Sequence, residues 1–125
     1  MKDTNEISNF WWPIASYGEP YIKSNRFLKS HKLNGFKEPA YYFKEERIGI
    51  SQITDYNIVK DKTRYLLTSM RAKSIFIVDY INEEKLKIHK KIKLNERIRD
   101  IIKIDGKKMY LMVLETSPAI GVITY

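Results

Sequence analysis

From residue 48 onward, short apolar or alternating runs recur with polar breaks between them, and this rhythm limits the fold more than any figure of composition. The runs are Ile48-Gly49-Ile50-Ser51-Gln52-Ile53, Tyr65 to Ser69, Ser74 to Tyr80, and Leu86 through Leu94. Asn57, Lys60-Asp61-Lys62, Arg71-Ala72-Lys73 and Asn82-Glu83-Glu84 break them. Runs of this length with turn signals between them predict a β-meander, and four of them make one sheet over 48–94. The fourth run predicts an outer strand: Leu86, Ile88, Ile92 and Leu94 on one face, Lys85, Lys87, His89, Lys91 and Lys93 on the other. Only Lys90 interrupts the apolar row, and a lysine-coated face suits a sheet edge, where charge discourages stray pairing. His89 on that face reads as exposed, without a catalytic role.

The chain then starts again. Arg97 to Ile104, a turn at Asp105-Gly106, Met109 to Leu114, Glu115-Thr116-Ser117-Pro118 and Ile120 to Thr124 predict three further strands in 95–125. At the head of this second set, Arg97 and Arg99 are two residues apart, so on a strand they share a face while Ile98 takes the other. Guanidiniums held that close repel each other and favour something anionic between them: a carboxylate-rich ligand, a phosphate, or a nearby Asp or Glu. The plain alternative is that both are solvated or paired with Glu96 and Asp100.

With 125 residues the chain has room for one ordinary domain or a piece of a larger one. Its formal net charge of +8 suits an anionic partner and names none. There is no cysteine, hence no disulfide framework and no cysteine-based metal site. Met1 to Glu6 lacks the apolar core of a signal peptide, and no run approaches a membrane span. No Gly-x-Ser-x-Gly, His-Glu-x-x-His or phosphate loop points to a conventional hydrolase.

Residues 1–47 read as a loop-rich lead-in. Asn9 to Tyr21 is crowded with aromatics, Pro and Gly, including Phe10, Trp11, Trp12, Pro13, Tyr17 and Gly18, and shows no period. It predicts a packed loop. Ile22 to Lys37 is polar and basic and carries His31, which suits proton transfer near neutral pH. Without an evident carboxylate partner nearby, His31 is read as a solvated loop histidine.

Four islands in this order resemble the soluble quinoprotein sugar dehydrogenases, the glucose/sorbosone dehydrogenase family. Trp12, Pro13, Tyr17 and Gly18 are in step with its Gly-Trp-Pro-x-x-(Ser/Thr)-(Tyr/His)-Gly loop, though Trp11 stands in place of the first Gly. Glu38-Pro39-Ala40-Tyr41-Tyr42-Phe43 resembles its Glu-(Gln/Pro)-Pro-x-x-Tyr-(Trp/Phe) segment. Thr68-Ser69-Met70-Arg71 matches a strand end at which the family has lysine, and Arg97-Ile98-Arg99-Asp100 leads through the Asp-Gly turn into an apolar strand.

The resemblance implies that Arg97, Arg99 and, with a fork in place of an ammonium, Arg71 contact the carboxylates of pyrroloquinoline quinone (PQQ). In such enzymes a sugar hydroxyl gives a hydride to the quinone, with a histidine as base and calcium polarising the cofactor. The catalytic residues and metal ligands come from earlier blades, and no residue here matches them. The expected architecture is all-β: about one and three-quarter blades of a six-bladed propeller, the last blade with three strands. Met1 to Thr4 is too short and polar to supply the fourth. The remaining blades and a sugar would be its partners, its setting periplasmic or secreted, and turnover by this chain alone is not expected. Two other readings stand beside it: a non-catalytic propeller remnant or interaction module, marked by an exposed apolar edge at Ile48 to Ile53, and a basic nucleic-acid-binding β-domain. The lysines lie away from Phe10, Trp11, Trp12, Tyr17 and Tyr21, which speaks against a stacking platform for bases.

Overall fold

A computed structural model describes residues 16–17, 30–44, 47–59 and 62–125, which fall in two compact units, 1–46 and 47–125. Most of the aromatic loop, including Phe10, Trp11, Trp12, Pro13, Gly18 and Tyr21, lies outside the described residues, as do Met1 to Thr4.

In the first unit the only helical element among the described residues is a single 3-10 turn, Lys32–Asn34. It ends at Gly35, whose φ of 76° is the left-handed conformation that glycine adopts without a Cβ clash. The Ser30 hydroxyl accepts a bond from the N–H of Leu33, and the His31 carbonyl accepts from Asn34 and Phe36. No helix among the described residues is long and apolar enough to cross a membrane.

The second unit is all antiparallel β. Strands β1 (Ile50–Val59), β2 (Lys62–Ser69), β3 (Ser74–Asn82) and β4 (Lys85–Lys93) pair in sequence order into a four-stranded sheet. Strands β5 (Ile98–Ile104), β6 (Met109–Leu114) and β7 (Ala119–Thr124) form a three-stranded sheet in the same manner. The expected break at Asn57 is absent: β1 runs on to Val59, paired with β2 down to Lys62. A register shift between Asp55 and Asn57 leaves Tyr56 without a partner, so the strand absorbs the polar residue by bulging rather than stopping.

The sheets pack face to face. Leu66, Ile75 and Ile77 from the first meet Ile98, Ile101, Tyr110 and Met112 from the second, with Tyr56, Ile92, Leu114 and Ile123 at the margin. The hydroxyl of Tyr110 reaches the carbonyls of Asp55 and Tyr56, 2.8 and 2.9 Å away, at the bulge in β1. The central strand β3 is buried continuously from Ser74 to Asp79, on both faces.

Strand β4 departs from the expected single apolar row. The register shifts between Ile77, opposite Lys90, and Val78, opposite Ile88, so His89 is bulged out of the ladder. Cross-strand partners share a face, which puts Leu86 and Ile88 with Val78 and Tyr80, but Ile92 with Ile75 toward the second sheet. Lys91 changes face with them, and its ammonium lies 5.4 Å from the centre of the Phe76 ring. An extra residue reverses the alternation, which is why a strict two-residue period misassigned this row. Leu94 lies beyond the strand. His89 is exposed, as expected, and its Nδ1 is 3.6 Å from Asp79 Oδ2, while the other carboxylate oxygen, Oδ1, accepts a 2.6 Å bond from Arg64 Nε.

Candidate functional site: an arginine fork at one end of the two sheets

The lead into β5 is fastened on both sides before any charged side chain is placed. Leu94 and Asn95 donate to the carbonyl of Lys73 in the β2–β3 turn, at 3.0 and 3.2 Å. Asn95 adopts a φ of 62°, a left-handed conformation that asparagine tolerates better than most residues. On the other side, the β6–β7 turn is stitched to the same segment. Glu115 N–H donates to the Arg97 carbonyl at 2.9 Å, Arg97 N–H to the Thr116 hydroxyl at 3.2 Å, and the Ser117 hydroxyl to Glu96 at 2.6 Å. These bonds fix the backbone that carries Arg97 and Arg99.

The two guanidiniums converge on one carboxylate. Arg97 Nε lies 3.1 Å and Arg99 Nε 3.2 Å from the same oxygen, Oε2 of Glu115, and Arg99 Nη2 donates to Oε1 at 3.3 Å. The hydrogen bond from Arg97, then the charges of both arginines, hold the Glu115 carboxyl below the usual carboxylate range. The local pairing with Glu96 and Asp100 does not form. Glu96 is taken by Ser117, whose hydroxyl is the largest cause of its own lowered pKa, and Asp100 accepts from the N–H of Ile101 at 2.8 Å.

Glu115 is the residue that reading the sequence missed, and a signal for it was present. The turn after Asp105-Gly106 makes β5 and β6 a hairpin with Ile98 opposite Leu114, so residue 115 falls beside residue 97.

Arg71 is placed from the other sheet. The carbonyl of Ile48 accepts from the backbone N–H groups of Arg71 and Ala72, both at 3.0 Å, and from the hydroxyl of Ser69. Gly49 carries the left-handed φ of 59° that this turn requires, a conformation glycine adopts without a Cβ clash. Ser51 ties the sheets together at this level: its hydroxyl lies 2.9 Å from the Thr68 hydroxyl and donates to the Ile98 carbonyl at 2.6 Å. Arg71, three residues past Thr68, is therefore at the same end of the sheets as Arg97 and Arg99, which flank Ile98. It is exposed and has no ion-pair partner among the described residues.

His31 differs from its expected solvated state. Only 6% exposed, it stacks on Tyr17 at 5.1 Å between ring centres, and Tyr17 stacks on Tyr42 at 4.0 Å. A carboxylate does come near, that of Glu38, seven positions on, but its Oε2 is 3.9 Å from His31 Nδ1, beyond hydrogen-bond reach, and Nδ1 has no hydrogen-bond partner among the described residues. The chain folds back through the 3-10 turn to bring Glu38 there, a proximity that the local sequence does not display. Glu38 accepts from the Lys32 N–H at 2.7 Å and from the Tyr17 hydroxyl at 2.8 Å; these bonds depress its pKa, and the bond to Glu38 raises that of Tyr17. Among the described residues no group of three His, Cys, Asp or Glu is placed to hold a metal ion.

Two stacked antiparallel meanders, with Arg97 and Arg99 gathered on the Glu115 carboxylate at one end, define an all-β unit. A sequence model of the glucose/sorbosone dehydrogenase family matches residues 3–120, and the chain belongs to that family. No curated protein and no solved structure matches the chain.

Proposed function

We propose that the chain is the C-terminal part of a PQQ-dependent aldose sugar dehydrogenase-like propeller, in which Arg97 and Arg99, with Arg71 beside them, anchor the carboxylates of the quinone. The observation that carries this reading is the convergence of both guanidiniums on a carboxylate, that of Glu115. A donor set that already holds one carboxylate suits a tricarboxylate cofactor, and charge-assisted bonds of this kind are about twice as strong as neutral ones. When bound, the quinone would accept the hydride of a sugar hydroxyl. The arginines bind and orient it, and Arg71, on a turn braced by Ile48 and Gly49, adds charge at the same end. The general base and the calcium ligands belong to other blades.

In this reading the two sheets are one full blade and three strands of the next, and further blades cover what lies open. The outer face of the three-stranded sheet is aliphatic: Ile102, Val113, Ile120 and Val122 are all at least 45% exposed. A sheet face of that kind suits burial against another layer. The same observation favours the second reading, an interaction module without catalysis, as do exposed Ile50 and Ile53 in β1, although Ile48 is buried. A periplasmic or secreted setting follows from the family reading.

Titration of the purified chain with PQQ, followed by the cofactor's absorbance, tests the anchoring. Binding should weaken about tenfold in Arg97→Gln and Arg99→Gln. Equal affinity in the wild type and both variants would remove the basis of the assignment. Added quinone, calcium and sugar should give no dye-linked turnover with this chain alone.

A further inference from the structure

We propose that Glu115 is a built-in competitor for the fork: it pairs with the arginines until an incoming ligand carboxylate displaces it. This rests on the reading of the fork as a carboxylate-anchoring site and adds what sets its affinity. Glu115 makes the same kind of contact that a ligand carboxylate would make, to Nε of both arginines and Nη2 of Arg99. It follows Leu114, the last residue of β6, and its backbone N–H is bonded to the Arg97 carbonyl, so it stays beside the fork whatever the side chain does. Two guanidiniums and one carboxylate leave a single net positive charge, which favours a polycarboxylate over a lone small anion. The side chain is one-third exposed, so water is at hand to receive the carboxylate when it is released.

Glu115 thereby has two consequences. It keeps the guanidiniums gathered before a ligand arrives, and it raises the threshold for what can enter. Removing its charge while keeping its shape should favour the ligand. An anionic probe about 6 Å from the lost charge, at a dielectric between the surface value and that of water, gains about tenfold in affinity.

The test uses the full chain and benzene-1,3,5-tricarboxylate as the probe, with affinity from calorimetry and side-chain states from NMR. Glu115→Gln is expected to bind about tenfold more tightly than the wild type. Glu115→Asp, which keeps the charge, is expected to stay within about twofold. In the wild type, the carbon resonance of the Glu115 carboxyl should move on titration as the guanidiniums release it, a change that a merely structural salt bridge would not show. Equal binding by wild type and Glu115→Gln, or an unmoved carboxyl resonance at saturation, would overturn the competitor role and leave the anchoring intact. No probe binding by either would overturn the anchoring itself, and this proposal with it. Unfolding midpoints of each variant establish that the proteins compared are folded.

Discussion

Replacing Tyr110 by phenylalanine removes one oxygen from the core of the second unit and should loosen the joint between the two sheets. The ring is fully buried, and its hydroxyl lies within bonding distance of the Asp55 and Tyr56 carbonyls at a point where the β1 bulge interrupts the ladder. A phenylalanine fills the same space, so no cavity term enters. What is lost is the net worth of one hydrogen bond, together with part of the cost of leaving a carbonyl without a donor, about 1.5 kcal/mol in all. For a unit of this size that lowers the thermal midpoint by about 6–12 °C. Circular dichroism against temperature reads it directly, and urea titration should give a lower midpoint with an unchanged slope. Alkaline pH supplies a second measurement. Burial, then Tyr125, pushes the Tyr110 hydroxyl well above its usual range, so the folded protein keeps a proton that the unfolded chain gives up near pH 10. The associated stability is complete below that pH and is lost as pH rises through the folded value. The Phe variant should show a shallower alkaline decline. A midpoint within about 2 °C of the wild type, with an unaltered alkaline limb, would refute the account of Tyr110 as the joint.

Ser51→Ala removes the hydroxyl between Thr68 and the Ile98 carbonyl and should cost about 1 kcal/mol in urea unfolding. It should also weaken quinone binding, because it frees the end of the sheets that carries the arginines. Asp79→Asn leaves Arg64 short of its counter-charge in a part-buried site and should destabilise by about 3 kcal/mol, the scale for breaking such a pair. Toward acid, Glu38, Glu96 and Glu115 all have pKa values held below the ordinary carboxylate value of 4.5. Their contribution is present above that pH and is lost as pH falls through the lowered folded values, so Glu115→Gln should unfold over a flatter acid limb than the wild type.

Much of the second unit was legible because local and global preferences agree there. The Met109 to Leu114 run has the bounds of β6, and the Asp105-Gly106 turn joins it to β5 where the sequence expects a hairpin. The failures share a cause. In β1, β4 and β5 an extra residue breaks the two-residue alternation, and no simple period can announce a bulge, since its position depends on what the neighbouring strand offers. The arginine pair was legible as near neighbours but not through strand alternation: Arg97 precedes β5 and Arg99 falls at the register shift between Ile98 and Asp100, so the two meet through the Glu115 carboxylate rather than on one strand face. Their partner was not legible, because Glu115 arrives through strand pairing, sixteen residues beyond Arg99. His31 was misread for the same reason: its surroundings come from Tyr17 and Glu38, which only the folded chain assembles.

The aliphatic outer side of β5–β7 also governs how the purified chain should behave in bulk. At +8 net charge, copies repel one another in dilute buffer, and that repulsion is felt over a Debye length that shrinks to about 10 Å at 0.1 M salt. Raising ionic strength removes the repulsion while leaving the greasy side attractive. Light scattering should therefore report monodisperse particles at low salt and growing ones as salt is added, the reverse of a preparation held together by charge.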